Sequence, residues 1–211
     1  MGRGKLVCLI VVTAMCCALW ADPAQSQAGV IAPYGDESLT DCHIYDLAPG
    51  LVYVYVAHQW SEPSLGIRFR VQVPPTLTYL GEDSPYVKLG NGLNGVTVCY
   101  ESCVSSSPTP VLVLRLMFFG QGVTPPCSYL SVEPHLEDPT LMSLDCEGNP
   151  LWPSRGSAIV NPDDGCWCQI ANADLGGQDK PGDGSAKAAT HFCTWVPVEQ
   201  NTWGAIKSLY R

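Results

Sequence analysis

The cysteines are the residues of this 211-residue chain whose types and spacing most restrict its chemistry. Three of the 11 cysteines, Cys8, Cys16 and Cys17, fall in an apolar N-terminal stretch with the features of a cleaved export signal. The other eight are disulfide candidates: Cys42, Cys99, Cys103, Cys127, Cys146, Cys166, Cys168 and Cys193. An even number of cysteines in an exported chain is typical of a disulfide framework. We therefore predict that these eight cysteines are paired.

Strand signals and short spacing suggest two of the pairs. Cys127 and Cys146 belong to predicted neighbouring strands, so we expect a bond between them. Cys99 and Cys103 are close enough in the sequence to bridge across a tight turn.

The remaining pairs involve two cysteines that are separated by a single residue. Cys166 and Cys168 cannot easily bond to each other without strain, so they should reach different partners. Cys42 and Cys193 remain for them. Eight cysteines allow 105 connectivities, and spacing alone does not select one of them.

Zinc is the alternative use of the thiolates. The two short-spaced cysteine pairs that begin at Cys99 and Cys166 offer half-sites, with His43 or His191 as a further ligand. Neither pair has the two-residue spacing that is usual in structural zinc sites, and an oxidising compartment disfavours thiolate ligands.

Calcium is a second metal to consider, because Asp174, Asp179 and Asp183 lie in a glycine-rich stretch. Their spacing does not match the alternating acidic loop that ends in a bidentate glutamate. A solvated acidic loop is the favoured interpretation, and we predict no metal and no cofactor.

The histidines could serve as general bases beside the many aspartates. They are His43, His58, His135 and His191. The chain has no Gly-x-Ser-x-Gly elbow and no His-Glu-x-x-His pair, the local patterns that accompany hydrolytic sites. His58, at the end of an apolar run, is expected to be a structural residue. We predict no catalytic site, with a secreted hydrolase as the alternative.

Aromatic side chains offer a binding chemistry instead. Indole and phenol rings stack on sugar faces or fill pockets of a protein partner. Trp152 and Trp167 stand in predicted loops, unlike most of the other tryptophans, and are the ligand-binding candidates. The alternative for Trp167 is packing of its indole against the neighbouring disulfides. A protein or carbohydrate partner is the resulting expectation.

The N-terminus and the charge balance indicate where such a partner is met. Arg3 and Lys5 precede an apolar run from Leu6 to about Ala21, as in a secretory signal peptide, and the run is short for a membrane span. Cleavage is predicted after Ala28, with the bond after Ala21 as the second choice. We expect secretion to the extracellular space, the cell surface or the periplasm, with no transmembrane anchor after cleavage. The net charge of −9, with no basic cluster, excludes nucleic acid as a partner.

The elements that position these residues are predicted to be strands. In Gly66 to Val73 apolar and polar residues alternate, as in a half-buried strand. The runs Leu51 to Trp60 and Val111 to Phe119 are apolar on both faces, as in central strands. Further strands are expected at 77–80, 95–100, 127–132, 141–146 and 157–160, with a turn at 81–85.

This spacing predicts an all-β, disulfide-bonded sandwich of seven to nine strands over residues 29–170. The order LVYVYVAHQW, GIRFRVQVPPTLTYLG and PVLVLRLMFFG resembles the immunoglobulin-like sandwiches of secreted bacterial modules of the cohesin and carbohydrate-binding type. The resemblance implies a module that binds or builds.

The C-terminal part has a different composition. Residues 171–194 form a predicted Gly/Asp-rich loop or linker, and residues 195–211 form a tail with a short helix. Trp203, Ile206 and Tyr210 would share one helix face. The ending TWGAIKSLYR is similar to short tails that close exported bacterial proteins, which implies sorting, anchoring or assembly. The alternative is a terminal helix that packs on the sandwich.

Overall fold

The structure is a computed structural model that describes residues 28–168. This part of the chain contains strands and no helix. The strands are, in chain order, β1 (Val30–Tyr34), β2 (His43–Ile44), β3 (Pro49–Gln59), β4 (Ser64–Gln72), β5 (Leu77–Asp83), β6 (Val87–Asn91), β7 (Gly95–Val104), β8 (Val111–Gln121), β9 (Ser128–Glu133), β10 (Met142–Asp145), β11 (Pro150–Leu151), β12 (Ser154–Arg155) and β13 (Ser157–Val160).

Two sheets pack face to face. The first has five strands in the order β12-β1-β3-β8-β5. The second has the path β11-β10-β4-β9-β13-β2, and β4 also pairs with β7, which pairs in turn with β6. Residues that alternate along β3, β4, β7 and β8 fill the space between the sheets, because successive side chains of a strand point to opposite faces. The predicted all-β, disulfide-bonded sandwich is confirmed.

More strands are present in the described range than the seven to nine that the sequence predicts. The eight predicted strand regions each contain a strand, and the additional ones are β1, β2, β6, β11 and β12. Three of these have only two residues, too few to display a period. The predicted turn at 81–85 is wrong in its first half, because Gly81, Glu82 and Asp83 continue β5 along β8 after a bulge.

Three disulfide bonds join distant parts of the described chain: Cys42–Cys168, Cys103–Cys146 and Cys127–Cys166. Cys99 is also disulfide-bonded, and Cys193 lies outside the described residues. The expectation that Cys166 and Cys168 have different partners is confirmed, as is Cys42 as one of those partners. The partner of Cys166 is Cys127, which we did not predict.

Two predicted pairs are wrong for reasons of strand geometry. Cys99 and Cys103 lie four residues apart in β7, which separates them by about 13 Å in an extended strand, beyond disulfide reach. Strands β9 and β10, next to Cys127 and Cys146, pair with successive segments of β4 and not with each other.

His58 attaches the start of the described chain to the sandwich. Its imidazole is almost fully buried, with Nε2 3.2 Å from the carbonyl oxygen of Ala28 and Nδ1 3.2 Å from the hydroxyl of Tyr100. The carbonyl oxygen of Ala28 can only accept, so Nε2 carries the hydrogen and Nδ1 accepts a hydrogen bond from the hydroxyl of Tyr100, whose pKa is raised by burial. Nε2–H then donates to Ala28. Burial lowers the pKa of His58 to about 4, against a smaller opposing effect of the Ala28 carbonyl.

Several predicted features fall outside the described residues. They are the signal sequence up to Gln27, the linker 171–194, the three aspartates considered for calcium, His191, and the tail with Trp203, Ile206 and Tyr210.

The alternation in β4 leads to a test of the core. Phe69 is fully buried between the sheets, whereas Gln72 at the end of the strand is exposed. We expect Phe69→Ala to lower the free energy of unfolding by about 3–5 kcal/mol, and Gln72→Ala by less than about 0.5 kcal/mol. Urea titration of the two variants measures both values. Similar small losses would contradict the placement of β4.

The pKa of His58 predicts how stability depends on pH. Because this pKa is about 4 in the folded protein and 6.5 in the unfolded chain, the unfolded state binds the proton more readily. The stabilising contribution is complete above pH 6.5 and is lost as the pH falls toward 4. Between about pH 7 and pH 4.5 we expect a loss of roughly 2–3 kcal/mol. His58→Gln should remove this part of the pH dependence in urea titrations, and an unchanged slope in the variant would refute the assignment.

Candidate functional site

The outer face of the five-stranded sheet carries large apolar side chains that no other part of the described chain covers fully. In β3, Leu51 is 57% exposed and Tyr53 is 40% exposed. In the neighbouring strand β8, Phe119 is 40% exposed and lies opposite Leu51, while Met117 is half-buried and lies opposite Tyr53. Directly opposed residues on one face of an antiparallel pair are in contact range, so these four side chains form one patch.

Three further exposed apolar residues lie near this patch. Leu80 of β5 is exposed next to the bulge at which β5 pairs with β8. Leu47 and Val123, both exposed, lie in the loops that adjoin the paired ends of β3 and β8. We call the seven residues the apolar face: Leu47, Leu51, Tyr53, Leu80, Met117, Phe119 and Val123.

The strand residues of this face in β3 and β8 belong to the two sequence runs that we interpreted as apolar on both faces, as in central strands. Strands β3 and β8 are central in their sheet, as predicted from runs that are apolar on both faces. One face of each strand is indeed in the core. The other face of β3 and β8, however, is open to solvent at Leu51, Tyr53 and Phe119.

A buried carboxylate fixes the loops at this end of the sandwich. Asp46 is only 1% exposed and lies between β2 and β3. Its Oδ1 accepts the backbone N–H of Gly122 at 2.8 Å, and its Oδ2 accepts the hydroxyl of Thr124 at 2.5 Å and the backbone N–H of Thr124 at 3.3 Å. Val123 is thus held between two residues that both bind Asp46.

Asn161 completes the same network from the end of β13. Its Nδ2 donates to the carbonyl oxygens of Asp46 at 3.0 Å and Thr124 at 2.7 Å, and its Oδ1 accepts the backbone N–H of Asp46 at 2.7 Å. We call the group Asp46, Gly122, Thr124 and Asn161 the loop clamp. It joins three segments that are far apart in the sequence.

Glycine is required at two positions beside the clamp. A side chain at Gly120 would collide with the carboxylate of Asp46. Gly122 has a φ of 75°, and a Cβ there would press on the backbone of Ala48. The close approach of the two loops therefore depends on the absence of side chains.

The ionisation of Asp46 is set by two opposing effects. Burial raises the pKa of this carboxyl group, whereas the hydrogen bonds from Thr124 and Gly122 lower it by more, so its pKa lies below the usual range. Asp46 is ionised at neutral pH, and among the described residues it has no cationic partner.

Charged groups border the apolar face on the β5 side. Arg115 of β8 forms an ion pair with Asp83 of β5 at 2.8 Å, and Glu37 also interacts with it electrostatically. Two acidic groups thus accompany one basic group at this border, in a chain whose net charge is −9.

The two predicted ligand-binding tryptophans lie in different surroundings. Trp152 is half-buried between β11 and β12. Trp167 is 77% exposed between two disulfide-bonded cysteines, so most of its indole is not covered by them. Sequence reasoning missed the exposure of Leu51, Tyr53 and Phe119.

The described histidines do not gather with a carboxylate and a nucleophile. His43 lies 2.8 Å from Asp41, His58 contacts Tyr100 and Ala28, and His135 accepts the N–H of Glu137. Within residues 28–168 none of them has a serine or threonine hydroxyl as a hydrogen-bond partner.

One group of side chains has the spacing of a metal site. Cys42, His43 and Cys168 lie within 4.8 Å of one another by their ligand atoms. The two sulfur atoms are bonded to each other, so they are not available as thiolates.

The described range contains no helix that is long and apolar enough to cross a bilayer.

Neither the known protein families nor the curated proteins contain a match to this sequence. Solved structures with a similar arrangement of strands include cohesins. One is a non-cellulosomal cohesin from the archaeon Archaeoglobus fulgidus, with 10% identity and a TM-score of 0.43 over 62% of this chain and 89% of that one. Another is a cohesin module from a family 33 glycoside hydrolase of Clostridium perfringens, with 5% identity and a TM-score of 0.44 over 64% and 99%.

A third is the sixth cohesin of scaffoldin B from Acetivibrio cellulolyticus, which was crystallised in complex with a dockerin. It has 14% identity and a TM-score of 0.42 over 65% of this chain and 100% of that one. The likeness to these proteins concerns the all-β sandwich alone.

Proposed function

We propose that this protein is a non-catalytic binding module that docks another protein on the apolar face. The observation that carries the proposal is the row of exposed apolar side chains across β3 and β8, next to loops held by the loop clamp. A contiguous exposed apolar patch is costly in water and marks an interaction surface more often than it marks a structural need.

The composition of the face fits a protein partner. Tyr53 and Phe119 are aromatic anchors of the kind that dominate binding energy at protein interfaces, and Leu51 lies directly opposite Phe119. The face is built on the outer side of two paired strands of the first sheet. A surface of this form suits a partner of similar area.

Charge argues against a second copy of this chain as the partner. Two molecules with a net charge of −9 repel each other, and the border of the face carries Asp83 and Glu37 beside Arg115. The occupant that we propose is a different protein whose docking surface is apolar with lysine or arginine at its rim. Such a rim would raise the association rate at low salt.

The secreted hydrolase remains the alternative from another class. The separation of His43, His58 and His135 from serine and threonine hydroxyls favours the binding module. The alternative would require a catalytic group from outside residues 28–168.

Export is part of the same proposal. Disulfide bonds persist in oxidising compartments, and the described bonds support export by the predicted signal.

The hydrogen bond from His58 to the carbonyl of Ala28 favours cleavage after Ala21 over cleavage after Ala28. The later cut would remove this acceptor and leave a buried N–H without a partner, at a cost of about 1–3 kcal/mol.

The C-terminal tail keeps its proposed role in sorting or assembly, carried by Trp203, Ile206 and Tyr210, which lie outside the described residues.

Docking on the apolar face is tested by crosslinking in the producing cells. A photoreactive phenylalanine derivative at Tyr53 should give one discrete crosslinked protein, and the same derivative at Leu89 of β6 should not. Leu89 is a matched control because it is also an exposed apolar strand residue, but on the other sheet.

The crosslinked partner, once identified, is purified and its affinity is measured by calorimetry. Leu51→Glu should weaken binding by roughly tenfold or more, with unchanged melting temperature, because Leu51 is exposed and contacts the partner at the centre of the face. Leu89→Glu should bind like the wild type. The proposal would be contradicted if Tyr53 gave no discrete crosslinked product, or if Leu51→Glu bound the partner with the affinity of the wild type.

The processing site is tested by the intact mass of the exported protein. We expect the mature chain to begin at Asp22, so that Ala28 and its hydrogen bond to His58 are retained. A mature chain that begins at Gly29 would contradict the proposed cleavage site, and a protein retained in the cytoplasm with residues 1–21 attached would contradict export itself.

A further inference from the structure

An open groove lies along the outer face of the second sheet, where Arg155 of β12, the edge strand of the first sheet, reaches it. The groove has a volume of about 420 Å³ and is lined by Tyr129, Ser131, Glu133, Arg155, Gly156 and Ser157. We propose that this groove binds a neutral oligosaccharide.

Strand alternation explains why these residues share one surface. Tyr129, Ser131 and Glu133 are successive outward residues of β9, while Leu130 and Val132 between them are buried in the core. They extend over about 13 Å along the strand. Ser157 of β13 lies directly opposite Ser131, and Arg155 reaches the groove from β12.

Tyr129 supplies the apolar part of the site. Its side chain is 48% exposed at one end of the groove. A pyranose ring has an apolar face of C–H groups and a rim of hydroxyls. An exposed phenol ring beside polar groups complements both of these features.

The polar groups are arranged in advance of binding. Arg155 Nη1 donates to Glu133 Oε2 at 2.9 Å, and the Ser131 hydroxyl donates to Glu133 Oε1 at 3.0 Å. The Arg155 side chain is 58% exposed, and its guanidinium retains further N–H donors for ligand hydroxyls. Glu133 is 20% exposed and retains lone pairs that can accept from them. Fixed donors and acceptors lower the entropy cost of binding a polyhydroxylated ligand.

The charge of the groove selects the ligand class. Arg155 and Glu133 neutralise each other, so the groove attracts neither a phosphate nor a cation through an excess of charge. The net charge of −9 further opposes anionic ligands such as polyuronates. A neutral ligand that offers many hydroxyl groups fits all of these conditions.

The test is native gel electrophoresis of the full protein in gels that contain a soluble polysaccharide. Four neutral probes are used, namely mixed-linkage β-glucan, xyloglucan, arabinoxylan and galactomannan, with polygalacturonate as an anionic probe. We expect at least one neutral probe to retard the protein and polygalacturonate not to do so. Retardation by polygalacturonate alone, or by none of the five probes, would overturn the proposal.

Variants of Tyr129 determine whether the groove is the site that causes the retardation. Tyr129→Ala should abolish the retardation, and Tyr129→Phe should keep most of it, because the ring and not the hydroxyl stacks on the sugar. Tyr53→Ala, a change of an exposed tyrosine on the opposite sheet, should behave like the wild type. Because Tyr129 is exposed, its variants should melt like the wild type, which separates loss of binding from loss of folding. Equal retardation of Tyr129→Ala would place the sugar elsewhere.

Discussion

The carboxylate of Asp46 is ionised and almost completely removed from water, and the end of the sandwich is arranged around this charge. A buried charge without compensation costs several kcal/mol. Because no cation of the described residues is in contact, neutral donors must offset that cost. The backbone of residues 122–124 therefore curls onto the carboxylate, with each hydrogen bond to the charged group worth about 1.5–3 kcal/mol. The outward position of Val123 and the approach of Ala48 to Gly122 follow from this requirement.

The local sequence pattern was sufficient to predict the longer strands, whose residues are numerous enough to show a period. The period of two in β4 predicts that strand, and the apolar runs of β3 and β8 predict both these strands and their central place in the sheet. Pairing between distant segments was not predictable. Cys103 meets Cys146 because both chain segments pass the start of β4, where Val104 and Asp145 each pair with Ser64. The apolar face was also missed, since an apolar run does not distinguish a covered face from an exposed one. In the groove, the alternation of Tyr129, Ser131 and Glu133 is visible in the sequence, but the contact of Arg155 of β12 with Glu133 is not.

The apolar face belongs to the first sheet, and the groove belongs mainly to the second, with Arg155 added from β12 at the edge of the first. Side chains of β3 and β8 on the first sheet interlock with those of β4 and β9 on the second, and such close-packed interiors deform little. Each surface is therefore presented by a stiff support, and a stiff support reduces the ordering cost of binding. A module with this arrangement can hold a protein on one side and a polysaccharide on the other without competition between them.

The bond between Cys42 and Cys168 also has a mechanical consequence. A tensile force applied before Ala28 and after Cys168 follows the covalent path, and that path crosses from Cys42 to Cys168 through the two sulfur atoms. The intervening segment, with a sequence separation of 126, cannot be extended lengthwise by this force while the bond is intact. Only β1 lies in the loaded stretch, and its ladder with β3, from Val30 opposite Gln59 to Tyr34 opposite Tyr55, would have to shear lengthwise. The apolar face and the groove both lie inside the shielded segment, so a chain pulled between a cell and a surface would keep both of them in shape.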